Sequence, residues 1–156
     1  MIRKESPSTG PGSPRVVGFY DAPTGSIQYV VIDPETRRCA IVDAVQGLDP
    51  ASARTDLEAA REILAFVEAE GLTVEWILDT HPHADHLMAG RWLAGQTGAP
   101  HAIGEKVHEV AALWRGFYHM PHAFDPDSDF DRLWADGDTF TIGSLPVRVM
   151  LSPGHT

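Results

Sequence analysis

The chain has 156 residues, 43% of them hydrophobic, which is enough for the core of one globular domain and short for two. Its formal net charge of -10 leaves no positive field for a phosphate backbone or an anionic membrane surface. Nucleic acid and membrane are therefore excluded as default partners in favour of a small molecule, and the single cysteine, Cys39, excludes an internal disulfide and a cysteine-rich zinc module.

Met1–Pro14 is rich in Ser, Pro and Gly and lacks the apolar stretch of a secretion signal. Residues 1–14 are expected to be a disordered tail, the domain to occupy 15–156, and the compartment to be the cytoplasm. No run approaches the roughly 20 apolar residues of a membrane helix. Val16–Tyr20 predicts a short strand. Ser26–Asp33 and Arg38–Asp43 are β-branched runs joined by the polar Pro34–Arg37, which predicts a hairpin. From Asp49 to Gly71 the period becomes helical, with Leu57, Ala60, Leu64 and Val67 on one stripe that Ile63 and Phe66 widen. Gly71 is its natural stop.

Val74–Leu78 is almost wholly apolar, so a central strand is expected. Leu87–Thr97 resumes helical character, which places Asp85 and His86 near a helix start. A strand at His101–Ile103 and a helix around Glu105–Arg115 follow. The stretch from Trp114 to Trp134 predicts a long irregular connection, a candidate pocket wall. Asp136–Asp138 predicts a turn, and Thr139–Ile142 and Pro146–Leu151 predict strands. The succession of strands and helices implies a layered α/β arrangement.

The chemistry concentrates in Thr80-His81-Pro82-His83-Ala84-Asp85-His86, at the end of the Val74–Leu78 strand. Imidazole and carboxylate suit borderline metals when several converge on one point. His81 and His83, at alternate positions, can face one side of an extended segment, with Asp85 and His86 just beyond. His155, after a second apolar strand, is the histidine this site lacks. The bland alternative makes Asp85 a helix N-cap. Asp43 and Asp79 read either as partners beneath the loop or as turn formers. His101, His108, His119 and His122 read as ordinary surface, partly buried or pocket-lining histidines, and Cys39 as packing. Trp114, Phe117, Tyr118 and Phe124 could wall a thiol substrate or pack a core. Asp125, Asp127, Asp129 and Asp131 lack the Gly and Glu of a calcium loop and read as solvated.

Thr80–His86 resembles the T-H-x-H-x-D-H signature of the metallo-β-lactamase superfamily, and Ser152–Thr156 resembles its P-G-H-T turn. Ile41–Ala44 and Ala135–Phe140 extend the likeness from about Val16 to the end. Within the superfamily, Phe19–Asp21, Tyr29–Pro34 and Glu75–Thr80 are most similar to the persulfide dioxygenase branch and its β-lactamase-like hydrolase relatives.

The resemblance implies the N-terminal part of an αββα sandwich with the metal site at one edge. In the persulfide dioxygenase type, His81, His155 and a later aspartate would bind one Fe(II), with His83, Asp85 and His86 orienting those ligands from outside. The substrate would be glutathione persulfide or a related thiol. In the alternative, glyoxalase II-like type, His81, His83 and His155 would hold one zinc or iron and Asp85 and His86 a second, for thioester hydrolysis. The metal set carried forward is thus His81, His83, Asp85, His86 and His155, with Asp85 also the candidate catalytic carboxylate. Fe(II) is the expected metal and Zn(II) the alternative. Family members continue past P-G-H-T with further strands and an aspartate ligand. A third reading is therefore a truncated, non-catalytic metal-binding chain, whose uncovered edge and apolar face would favour self-association into a homo-oligomer.

Overall fold

The computed structural model describes residues 1–83 and 85–154. Its first half contains strands β1 (Ile2–Ser6), β2 (Arg15–Asp21), β3 (Ser26–Ile32), β4 (Arg38–Val42), β5 (Val45–Asp49) and β6 (Arg54–Asp56), helix α1 (Glu58–Ala69) and strand β7 (Thr73–Leu78). The second half contains β8 (Leu87–Met88), α2 (Gly90–Thr97), β9 (His101–Gly104), α3 (Val107–Phe117), α4 (Pro126–Asp129), β10 (Arg132–Trp134), β11 (Thr139–Ile142) and β12 (Leu145–Arg148).

Seven strands form one mixed sheet in the order β1-β2-β3-β4-β7-β9-β10. Its first four strands pair antiparallel, whereas β4, β7, β9 and β10 run parallel. The difference is legible in the side chains. On β3, Gln28, Val30 and Ile32 are buried in alternation, as a strand with one covered face requires. On β4, Cys39, Ala40 and Ile41 are buried consecutively, as a central strand covered on both faces requires. Burial, with Glu75 adding to it, pushes the Cys39 thiol up to about 12, so it stays a packing group as expected.

Helix α1 buries Ala59, Ala60, Ile63, Phe66 and Val67 in the core that contains Val17, Phe19, Ile41 and Ile77. Phe66 meets Phe19 edge to face at 5.3 Å. Gln28 is fully buried but satisfied at its carbonyl, which accepts from the Val45 N–H at 2.8 Å.

Four expectations need correction. The segment 1–14 is not a disordered tail throughout, because Ile2–Ser6 pairs along its whole length with β2. That strand is exposed and held by backbone hydrogen bonds, which composition does not register; its Glu5 binds Arg15 at 2.7 Å. The helix expected from Asp49 begins only at Glu58, since residues 45–56 form the β5–β6 hairpin, with Asp49 opposite Arg54. A Cβ at Gly47 would collide with the Asp56 carboxylate across that hairpin. The helix expected from Leu87 begins at Gly90, because Leu87 and Met88 pair with Gln46 and Val45. The connection after Trp114 is shorter than predicted: α3 runs to Phe117 and α4 and β10 interrupt the rest.

Candidate metal centre

The parallel pairing of β4 and β7 sets Val42 beside Leu78, so both strands end at one place and release Asp43 and Asp79 together. Asp43 adopts φ 53° and its N–H donates to the Leu78 carbonyl at 2.9 Å, turning its side chain under the loop that follows β7. Its Oδ1 accepts from the Thr80 N–H at 2.7 Å and its Oδ2 from the Thr80 hydroxyl at 2.8 Å. His83 Nε2 donates to Oδ1 at 3.3 Å. Burial pushes the Asp43 carboxyl up, but these bonds from His83 and Thr80 outweigh it and hold it below the ordinary value. The same Asp43 bond raises His83. Asp43 is therefore the brace of the loop.

The imidazoles gather above that brace. The His81 and His83 ring centroids are 3.8 Å apart and those of His83 and His86 are 4.4 Å apart. His83, Asp85 and His86 each present a ligand atom, and all three atoms lie within 4.8 Å of one another. Asp85 is exposed and lies in a bend, so its alternative as an N-cap is overturned by the start of α2 at Gly90. The Asp85 carboxyl is held below its ordinary value, first by its own backbone N–H and then by His86 and His83. His86 is nearly enclosed; its Nδ1 lies 3.3 Å from the Ser26 hydroxyl and 3.2 Å from Asp85 Oδ1. Its Nε2 is buried without a hydrogen-bond partner among the described residues. An orphaned buried imidazole nitrogen beside a second imidazole and a carboxylate is the donor set of a divalent metal, and the residues fit one. His155 lies outside the described residues, so its part in the site is an expectation only.

A cleft of about 980 Å³ opens beside the loop, with Thr80, His81 and Pro82 on one wall and Val110, Leu113 and Trp134 on another. The aromatic wall expected from Trp114, Phe117, Tyr118 and Phe124 is not there: these side chains are exposed and none lines the cleft. Trp114, Phe117 and Tyr118 cluster on one another instead. His119 and His122 are exposed, and His108 contacts Asp127 at 3.4 Å. His101 is no surface histidine; it is 4% exposed and 2.8 Å from Asp79. Sequence reasoning missed Ser26 entirely, since nothing marks a strand-opening serine 60 positions away as a partner of His86.

Comparison with known proteins places this geometry. The family model described as the metallo-beta-lactamase superfamily matches residues 22–156. The chain is 56% identical over 144 residues to a "Beta-lactamase hydrolase-like protein" of Xylella fastidiosa strain Temecula1, covering 92% of this chain and 33% of that protein. It is 34% identical over 111 residues to a "Hydroxyacylglutathione hydrolase" of Brucella anthropi, covering 69% of this chain and 36% of the relative. The chain thus spans about a third of the length of these curated relatives. Among solved structures, ETHE1 from Myxococcus xanthus superposes with TM-score 0.64 at 24% identity, covering all of this chain and 50% of that one, a likeness of fold. The α/β architecture, the histidine loop at the end of β7 and the match over residues 22–156 together show that this chain belongs to the metallo-beta-lactamase superfamily.

Proposed function

We propose that this protein is a metal-dependent hydrolase acting on a small thioester, with glutathione conjugates as the substrate class. The observation that carries the reading is the convergence of His83, Asp85 and His86 within 4.8 Å, which would let Asp85 and His86 serve as ligands, as the resemblance to the glyoxalase II-like type implies for a binuclear hydrolytic site. His81, and His155 beyond the described residues, would complete the donor set. A divalent ion held there supplies Lewis acidity and a water of lowered pKa. The chain's own contribution is positional. Asp43 fixes Thr80 and His83, Ser26 and Asp85 flank His86 Nδ1, and the cleft offers apolar side chains beside His81. The relative named hydroxyacylglutathione hydrolase supports the thioester class.

A second reading, Fe(II)-dependent persulfide oxidation, draws on Phe19–Asp21, Tyr29–Pro34 and Glu75–Thr80, which resemble the dioxygenase branch. One experiment separates the two. Protein reconstituted with Zn(II), or anaerobically with Fe(II), is assayed for cleavage of a glutathione thioester and for oxygen uptake with glutathione persulfide. Thioester cleavage without oxygen uptake is the expected result. Oxygen uptake without cleavage would replace the first reading with the second.

A further inference from the structure

One buried polar pair lies at the foot of the metal loop and outside its converging ligands. His101 Nε2 is 2.8 Å from Asp79 Oδ2, and both side chains are 5% exposed. A carboxylate accepts, so the proton of this bond sits on Nε2. Asp79 follows β7 directly and precedes Thr80, the residue that Asp43 grips, so it forms the entrance of the loop. The same imidazole reaches the loop's exit. A Cβ on Gly90, the first residue of α2, would collide with Nε2, Cε1 and Cδ2 of His101. One ring is therefore fitted against both ends of the connection that carries the metal ligands.

His101 is in turn held from behind. Its N–H donates to Asp131 Oδ2 at 2.9 Å, its carbonyl accepts from the Asp131 N–H at 2.8 Å, and the Phe130 ring lies 4.6 Å from its own. The pair is not a cheap way to fill space. Asp79 Oδ1 and His101 Nδ1 are both buried without a hydrogen-bond partner among the described residues. Apolar side chains of the same volume would avoid that desolvation, so the pair's presence calls for a role beyond packing.

We propose that the His101–Asp79 pair is a positioning device that fixes the two ends of the metal loop and so the convergence of His83, Asp85 and His86. The inference rests on the metal reading of that loop given above. Its consequence is that metal affinity and ligand geometry, more than folding, depend on His101.

The test is titration of the metal-free protein with Co(II), reading affinity and the visible d–d spectrum, with thermal unfolding of the metal-free protein followed in parallel. His101→Ala is expected to bind Co(II) about 10–100-fold more weakly with altered bands, the range for loss of a group that orients ligands. Gly90→Ala, which changes no polar group but displaces the ring, is expected to do the same. His101→Gln, which keeps an amide N–H near the Nε2 position, and Asp79→Asn, which keeps an acceptor, are expected to stay near wild type in both readouts. Wild-type affinity and spectrum in His101→Ala overturn the proposal, as does a His101→Gln variant as weak as His101→Ala. His83→Ala separates the two levels: if it binds as the wild type does, the metal reading fails and the positioning role with it. If His83→Ala loses the metal while His101→Ala does not, the positioning role alone fails.

Discussion

Asp33 is fully buried and ionisable, yet it is one of the better satisfied side chains in the protein. Its Oδ2 accepts from the Thr36 hydroxyl at 2.6 Å, the Ser144 N–H at 2.7 Å and the Ser144 hydroxyl at 2.9 Å, and its Oδ1 from the Glu35 N–H at 3.0 Å. It thereby ties the β3–β4 turn to the β11–β12 turn across 111 positions of sequence. Gly143 makes that approach possible; it has φ 60°, and a Cβ there would collide with Thr36 and Asp33. Burial pushes the Asp33 carboxyl up, but the bonds from Thr36, Ser144 and Glu35 outweigh it and hold it well below its ordinary 3.8. A carboxyl whose folded pKa is depressed contributes stability that is complete above the unfolded value and is lost as pH falls through the folded one. Asp33→Asn is accordingly expected to cost about 3 kcal/mol at pH 7. The deficit should shrink as pH drops below about 4, as urea unfolding of both proteins at pH 7, 5 and 3 would show. A pH-independent deficit would contradict this account of Asp33.

At the scale of elements, α1 carries the clearest energetic weight, because its apolar stripe covers the sheet across β2, β3, β4 and β7. Ile63 is fully buried at the centre of that stripe. Ile63→Ala should cost about 2–5 kcal/mol, measurable as a lower denaturation midpoint with unchanged slope. That stripe was readable in the sequence because side chains at 3.6-residue spacing repeat over several turns. The central strand β7 was readable as an almost wholly apolar run, and the hairpin β3–β4 from its β-branched runs and polar connection. What escaped the pattern was pairing without burial. Strands β1 and β6 are held by backbone bonds among exposed residues, β5 buries Val45 alone, and β8 is two residues long, so none leaves a period to detect. The same limit applies to the site. Dense local ligands such as His83, Asp85 and His86 announce themselves in order along the chain. Ser26 and His101 reach the loop only through the sheet order β3-β4-β7-β9, which no local pattern encodes. The predicted aromatic wall failed for a related reason: the sequence pattern left Phe117 in an irregular connection, whereas α3 runs on to Phe117 and neither it nor Trp114 lines the cleft.

At the scale of the whole molecule, the mixed sheet explains why chemistry collects at one edge. Antiparallel strands β1 to β4 end in the parallel group β4, β7 and β9, and the junction is where two strand ends deliver Asp43 and Asp79 side by side. Ligands in parallel strands' carboxyl-end loops need no strain in the sheet itself; the positive φ at Asp43 concentrates the distortion in one residue. The cleft beside this edge is walled largely by apolar side chains from α3 and β10 to β12. Among the described residues no helix is long and apolar enough to cross a membrane. Leu113, which lines the cleft, and Trp114 and Phe117 of the same helix α3 are exposed, which leaves an apolar surface beside the loop. Every one of these features gains its meaning from the loop at Thr80–His86, because the brace of Asp43, the clamp of His101 and the contact of Ser26 all converge there.

The loop itself is the proposed metal site, built on His83, Asp85 and His86. Elemental analysis after reconstitution with Zn(II) or Fe(II) and removal of excess metal tests it most directly, run on the wild type and on His86→Ala. At least one tightly held metal ion per wild-type chain is expected, with an affinity reduced by more than tenfold in His86→Ala, which removes the orphaned buried Nε2. A wild-type protein that retains no metal, or a His86→Ala variant that retains as much as the wild type, would contradict it.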